Sequence, residues 1–123
     1  MSSFVISTIL QVVVALGLLN VWLVRAQAST SYRGGSAQSL KEEFATYGLP
    51  EWTYYLVGAL KIGAAILFVV GIWVPQVIRP AAIVVAVLMI GALAMHAKVK
   101  DPLTKSLPAL TVLLMVVAIA LLQ

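Results

Sequence analysis

One lysine lies inside a long apolar run, and its position raises the clearest chemical question in this sequence. Lys61 is the only charged residue between Trp52 and Val74. In a membrane-spanning helix, a central lysine costs roughly 2.5–3.5 kcal/mol on insertion scales and usually marks a functional site or a buried pair. Its ammonium group can bind an anionic or carbonyl-bearing group, such as a quinone head, or act as a structural hydrogen-bond centre. The sequence leaves both interpretations open.

Three other polar residues are candidates for the same ligand-binding or buried polar centre. Gln11 is the central polar residue of the first apolar run, at about the depth of Lys61. Glu43 lies in the first loop and could reach down to a buried lysine. His96 ends the third apolar run, either as a proton relay or quinone contact, or as an interfacial histidine that suits the helix dipole. Because no acidic residue lies in the interior of an apolar run, an ion pair with Lys61 must recruit one from a loop, a helix end or another subunit.

Small residues around Lys61 predict close helix packing on its side of the helix. Gly58, Ala64 and Ala65 lie three or four residues from Lys61, and Gly63 lies four residues after Ala59. Small side chains allow another helix to approach closely. We therefore expect these residues to turn the lysine towards the interior of a bundle.

Composition identifies the class of protein that must position these residues. Of the 123 residues, 63% are hydrophobic and 10% are charged, whereas soluble domains are about 25% charged. Four runs are long enough to cross about 30 Å of hydrocarbon as helices. They extend over about 3–24, 50–74, 79–97 and 105–122. We predict an all-α membrane protein, a single four-helix transmembrane bundle over residues 1–123, in contact with the lipid bilayer.

The first loop contains a further short helix. Ser39 with Glu42 three residues later fits a capping box, and Gly48 fits a helix end. An apolar stripe at helical spacing, flanked by Glu43, predicts that this helix lies in the membrane interface or folds back onto the bundle.

Basic residues predict the orientation. The loops after the first and third runs contain six lysines and arginines, against Arg79 alone in the remaining loop. The positive-inside rule then places both termini outside the cytoplasm, and we expect a bacterial cytoplasmic membrane. The first run could instead be a signal peptide, since Ala26-Gln27-Ala28 resembles a cleavage site, but its length and the lack of a preceding basic residue favour retention.

Several kinds of chemistry are excluded. Without cysteine there is no dithiol or thiolate chemistry, and a single histidine gives no reason to expect a metal or haem site from this chain alone. No catalytic motif is present, so we expect no catalysis by the chain on its own. The basic residues flank apolar runs and form no patch for a nucleic-acid partner.

Residues 40–110, more than half of the chain, resemble the DoxX-like family of small four-helix membrane proteins. The residues that carry this resemblance are Gly48-Leu49-Pro50, Gly58 with Lys61, Pro75, His96 and Asp101-Pro102. The resemblance implies an association with membrane redox complexes, such as thiosulfate:quinone oxidoreductases. In the wider DoxX group, the position that corresponds to Lys61 is often glutamate. Because this chain has lysine there, the resemblance implies no carboxylate chemistry at this position.

These observations predict an accessory or structural subunit of a larger, redox-associated membrane complex. The alternative is a quinone-interacting subunit of a membrane oxidoreductase, and a second alternative is a small transporter or membrane chaperone. The expected partners are other membrane subunits or further copies of the chain.

Overall fold

A computed structural model describes residues 2–27, 30 and 32–123, and this part of the chain is helical with no strands. Ala28 of the possible cleavage site lies outside the described residues. Five α-helices follow one another: α1 (Ser3–Leu19), α2 (Leu40–Thr46), α3 (Glu51–Val70), α4 (Ile78–Lys98) and α5 (Leu107–Leu121). A π-helical segment, Asn20–Val24, continues α1, and 3-10 turns precede α4 (Pro75–Val77) and α5 (Leu103–Ser106). The prediction of an all-α bundle is confirmed.

Four helices are long and apolar enough to cross a membrane, as predicted. They are Ser3–Val24, Glu51–Val70, Pro75–Lys98 and Leu103–Leu121. The second ends four residues earlier than expected, because the chain turns at Gly71, where a Cβ atom would lie 2.4 Å from the Ile78 side chain. The chain is therefore an integral membrane protein whose exposed apolar side chains contact lipid.

The four spanning helices form an antiparallel ring. Each contacts two neighbours, in the order α1, α3, α4, α5 and back to α1. We call the end that carries residues 25–27, 32–50 and 99–106 the loop end, and the end that carries Ser2, Gln123 and residues 71–77 the terminal end.

The core fills the terminal half of the ring. Phe68 from α3, Val85 from α4 and Ile119 from α5 are fully buried there. Ala64 and Ala65 lie in the same core, opposite alanines of α4, so the backbones of α3 and α4 can approach closely. These contacts fix which face of α3 turns inwards.

Gly63 does not lie on that packing face. Nothing lies within 4 Å of where its Cβ atom would be, whereas a Cβ atom at Gly58 would meet Trp22 at 2.7 Å. The reason is helical geometry: at about 100° per residue, Gly63 is turned well away from Gly58, while Ala65 is nearly aligned with it. The expectation for Gly63 is corrected: it opens on the outside of the bundle.

The loop helix α2 folds back onto the bundle. The Ser39 side chain caps it by accepting a hydrogen bond from the Glu42 N–H at 3.2 Å, as the sequence predicts. Leu40 packs with Trp22 and Ala26, and Phe44 adds to this second apolar cluster. Gly48 ends the helix with a positive φ of 78°, which glycine adopts without strain. This packing brings Glu43 over the loop end of the ring.

Candidate functional site

A cavity of about 720 Å³ lies at the loop end, between the spanning helices and beneath the first loop. Its volume is within the range of small-molecule sites, about 300–1,000 Å³. Three of the four predicted site residues line it, namely Lys61, Glu43 and His96. Apolar side chains of α1, α4 and α5 form most of the remaining wall, so the cavity is apolar with a few polar groups.

Lys61 lies in the wall of this cavity and is half-buried. Its Nζ atom is 5.6 Å from the centroid of the Trp22 ring, which is within the range of a cation–π contact. No hydrogen bond or ion pair joins the ammonium group to any residue in the described part of the chain. Gly58 makes this arrangement possible, because the Trp22 ring lies directly against the α3 backbone where a side chain would otherwise project.

The π-helical segment positions the opposite wall. The Arg25 N–H donates to the Asn20 carbonyl at 2.8 Å, a hydrogen bond that spans five residues and widens the last turn of the first spanning helix. Asn20, Val21, Trp22 and Arg25 all line the cavity. Such π segments occur frequently at functional sites.

Trp22 has an unpaired donor. The residue is 7% exposed, and its Nε1 atom is the single buried side-chain nitrogen or oxygen, among the described residues, with no hydrogen-bond partner. An unmet buried donor costs about 1–3 kcal/mol, so such groups are rare without a function. Trp22 lines the cavity, but its Nε1 atom is enclosed by protein atoms, so the donor that the cavity presents without a partner in the described chain is the Lys61 ammonium.

Glu43 is buried beside the cavity but is directly paired with other residues. Its Oε1 atom accepts a hydrogen bond from the Tyr47 hydroxyl at 2.5 Å, and its Oε2 atom is 3.6 Å from an Arg33 guanidinium nitrogen. Burial and the Glu43 carboxylate raise the pKa of Tyr47 well above its usual range, so the phenol stays protonated. The expected direct pair between Glu43 and Lys61 is therefore absent among these contacts, although the carboxylate is near enough to attract the lysine charge.

His96 is buried between two carboxylates, which differs from the expected interfacial histidine at a helix end. Its Nδ1 atom is 2.7 Å from Oδ2 of Asp101, and its Nε2 atom is 3.9 Å from Oε1 of Glu43. The Tyr47 hydroxyl lies 3.5 Å from the same Nε2 atom. Both ring nitrogens thus face acceptors, which is the arrangement that holds an imidazole in one orientation.

Asp101 fixes the loop over the bundle. Its Oδ1 atom accepts a hydrogen bond from the Gly35 N–H at 3.0 Å, and the Lys105 ammonium lies 3.8 Å away. Burial favours the protonated form of this carboxyl, but the hydrogen bonds from His96 and Gly35 and the charge of Lys105 outweigh it and lower the pKa of Asp101. Asp101 thereby ties the first loop to the end of α4.

Gln11 lies in another part of the molecule. Its amide Nε2 donates to the Phe68 carbonyl at 3.0 Å, and its Oε1 atom accepts from the Ser7 hydroxyl at 2.9 Å. Phe68 is seven residues, or about 10 Å, from Lys61 towards the terminal end. The structure therefore separates Gln11 from the candidate site, and the expected contact with Lys61 is corrected.

Sequence reasoning missed four residues of this site, namely Trp22, Arg33, Tyr47 and Asp101. Nothing in the sequence signals that the Trp22 donor is unpaired. Asp101 did carry a signal, because it lies five residues after the single histidine and just beyond the end of that helix. Within the part of the chain that the structure describes, no group of three potential ligands could hold a metal ion.

Comparison with known proteins supports the resemblance seen in the sequence. Searches of curated proteins and of solved structures found no match. The sequence matches the DoxX-like family over residues 9–120, which extends the resemblance to the first and last spanning helices and includes every residue that lines the cavity. This chain belongs to the DoxX-like family.

Proposed function

We propose that this protein is an accessory subunit of a larger, redox-associated membrane assembly and holds a lipid-soluble molecule in its loop-end cavity. The observation that carries the proposal is the cavity itself, whose lining includes the Lys61 ammonium, a donor with no hydrogen-bond acceptor in the described chain. Family membership supports a small membrane protein of this kind.

The outer face of α3 supports contact with another subunit. Ala59 is exposed, and Gly63 four residues later has open space where a side chain would be. Small residues spaced by four allow close approach of a second transmembrane helix. A partner helix, from another subunit or a second copy, would fit against this face.

A quinone-interacting subunit remains the second candidate. A quinone carbonyl accepts hydrogen bonds, and the Lys61 ammonium and the Trp22 ring line one cavity of suitable size. A transporter or membrane chaperone has less support. Phe68, Val85 and Ile119 fill the bundle between the cavity and the terminal end with fully buried apolar side chains, which disfavours a polar pathway there.

Native mass spectrometry after mild detergent extraction tests the proposal. We expect complexes with other membrane subunits or with further copies, and weaker assembly in Gly63→Leu. The control is Val87→Leu, which changes a 63% exposed, lipid-facing residue of α4 and should leave assembly intact. A strictly monomeric protein without partners would contradict the accessory role, and quinone extraction from the same sample tests the second candidate.

A further inference from the structure

We propose that the loop-end cavity binds the headgroup of an anionic lipid, whose acyl chains extend into the bilayer between α1 and α5. This inference names the ligand class for the site in the proposed function and rests on that cavity being occupied from the membrane. Three observations carry it: the charges of the lining, the pairing of the carboxylates, and the position of the exposed rim.

The charged residues of the mostly apolar lining are predominantly cations. Four cations line the cavity, against a single carboxylate, Glu43. They are Arg25, Arg33, Lys61 and Lys105. Two of the four, Arg33 and Lys105, have carboxylate partners in the loop network. Lys61 and the exposed Arg25 have no ion pair with a described residue, so the site keeps two uncompensated positive charges.

The protein has no further side-chain carboxylate to neutralise them. The sequence contains four acidic residues. The buried carboxylates of Glu43 and Asp101 belong to the loop network. Glu51 pairs with Lys41 at 2.6 Å, and Glu42 is exposed on α2. A cation in a spanning helix is expensive without a counter-charge, so an anion from outside the chain would recover that cost.

Trp22 and Arg25 place a second cation of the first spanning helix near Lys61. The centroid of the Trp22 ring lies 5.6 Å from the Lys61 Nζ atom, and Arg25 follows Trp22 by three residues, less than one helical turn. A phosphate offers several strong acceptor oxygens and can accept from both the Lys61 ammonium and the Arg25 guanidinium. A neutral quinone would satisfy donors but would leave both positive charges uncompensated.

The rim of the cavity indicates how such a ligand is held. Gly17 and Val21 on the first spanning helix, and Leu107 and Thr111 on α5, line the cavity and are exposed. Exposed residues of spanning helices face lipid, so this side of the cavity opens to acyl chains. Basic pockets between transmembrane helices are known to bind anionic headgroups.

Lipid retention by the whole protein tests the proposal. Wild-type protein is reconstituted in nanodiscs of equal phosphatidylglycerol and phosphatidylcholine, re-extracted in detergent, and analysed for bound lipid by mass spectrometry. We expect the bound lipid to be enriched in phosphatidylglycerol by about fivefold, the equivalent of about 1 kcal/mol for one cation. Lys61→Met should abolish most of the enrichment, and Lys61→Arg should preserve it.

Matched controls keep this result interpretable. Lys100→Met removes the same charge from an exposed position at the same end of the bundle and should leave the enrichment unchanged. Melting temperatures of all variants show whether each is folded. In addition, the double variant Trp52→Phe/Trp73→Phe leaves Trp22 as the sole tryptophan. Its emission on selective tryptophan excitation should change with phosphatidylglycerol but not with inorganic phosphate.

Three outcomes would overturn the inference. These are equal retention of the two lipids by folded wild-type protein, unchanged enrichment in Lys61→Met, and an equal response of Trp22 to inorganic phosphate alone. Recovery of partner subunits with a bound quinone and no lipid preference would sustain the proposed function while refuting the anionic lipid. Lipid enrichment in a strictly monomeric protein would sustain the anionic lipid while refuting the accessory role.

Discussion

The two ends of the bundle both contain buried polar groups, but only one end leaves groups unpaired. At the terminal end, Gln11 bonds to Ser7 and the Phe68 carbonyl, and Gln123 donates to Ser7 at 2.5 Å. Each of these side chains has a partner. At the loop end, a paired network adjoins a cavity in which the Lys61 ammonium and the Trp22 N–H have no hydrogen-bond partner among the described residues.

This difference separates two uses of polarity in a membrane protein. A buried polar group that is fully paired holds helices together, because breaking the pair leaves an unmet group in a dry interior. A group that stays unpaired is available for a ligand. Gln11 therefore belongs with the structural contacts, and Lys61 belongs with the candidate site.

The largest expected effect is the loss of stability when the paired network at the loop end is broken. Asp101→Ala removes the carboxylate that meets His96, Gly35 and Lys105, and leaves a buried histidine without its partner. We expect the free energy of unfolding to fall by about 3 kcal/mol, as for other buried pairs that lose one member. Reversible unfolding in mixed micelles measures this. The exposed Glu42→Ala serves as the control, and an equal effect of both changes would refute the assigned role of Asp101.

Next in size is the effect of filling the space at Gly58. In Gly58→Ala the new methyl group would lie 2.7 Å from the Trp22 ring, so the ring must move from its place beside Lys61. Overpacking of this kind costs typically 1–3 kcal/mol. Gly63→Ala has open space and should stabilise the helix by about 0.4–1 kcal/mol. Thermal unfolding compares the two, and equal changes would show that Trp22 does not pack as described.

A smaller effect is expected for Gln11, and it should not extend to the site. Gln11→Leu removes one hydrogen bond each to Ser7 and to the Phe68 carbonyl, which should cost about 1–2 kcal/mol of unfolding free energy. The lipid bound by the protein should stay the same, since Gln11 lies outside the cavity. Bound-lipid analysis, done together with the unfolding measurement, separates the effect on stability from an effect on lipid binding. Altered lipid retention would contradict the prediction, because it would mean that Gln11 affects the cavity at the other end of the bundle.

The smallest effect is an acid dependence at the loop end. The pKa of Asp101 is lowered in the folded protein, so its contribution to stability is complete above the ordinary aspartate pKa of about 4. That contribution is lost as the pH falls through the lowered value. Asp101→Asn should therefore flatten the stability profile below about pH 4, which unfolding at graded pH would reveal. A profile identical to the wild type would contradict the assigned hydrogen bonds.

Much of the fold could be predicted from the sequence, because the thickness of the bilayer sets the length of each spanning helix. Four apolar runs predicted the spanning helices. Ser39 and Gly48 predicted where the loop helix begins and ends, because helix caps depend on local side chains. The end of the second run was misplaced at Val74, because Ile72, Trp73 and Val74 are apolar although they lie in a turn.

The site was harder to predict, because the sequence does not give the depth at which residues of neighbouring helices meet. Counting from the helix ends placed Gln11 level with Lys61, but its side chain meets the terminal half of α3. Glu43 and His96 were candidates for one polar centre with Lys61, and the structure places all three at the cavity. The role of Trp22 depends on a π-helical turn, which leaves no pattern in the sequence.

The most direct test of the account is the change in melting temperature that an anionic lipid causes. A ligand that binds only the folded state stabilises it, and the stabilisation grows with the ligand's concentration and affinity. Phosphatidylglycerol, compared with phosphatidylcholine at equal concentration, should raise the melting temperature of the wild-type protein and leave that of Lys61→Met nearly unchanged. An equal rise in both proteins would show that Lys61 does not bind the headgroup and would contradict the central claim.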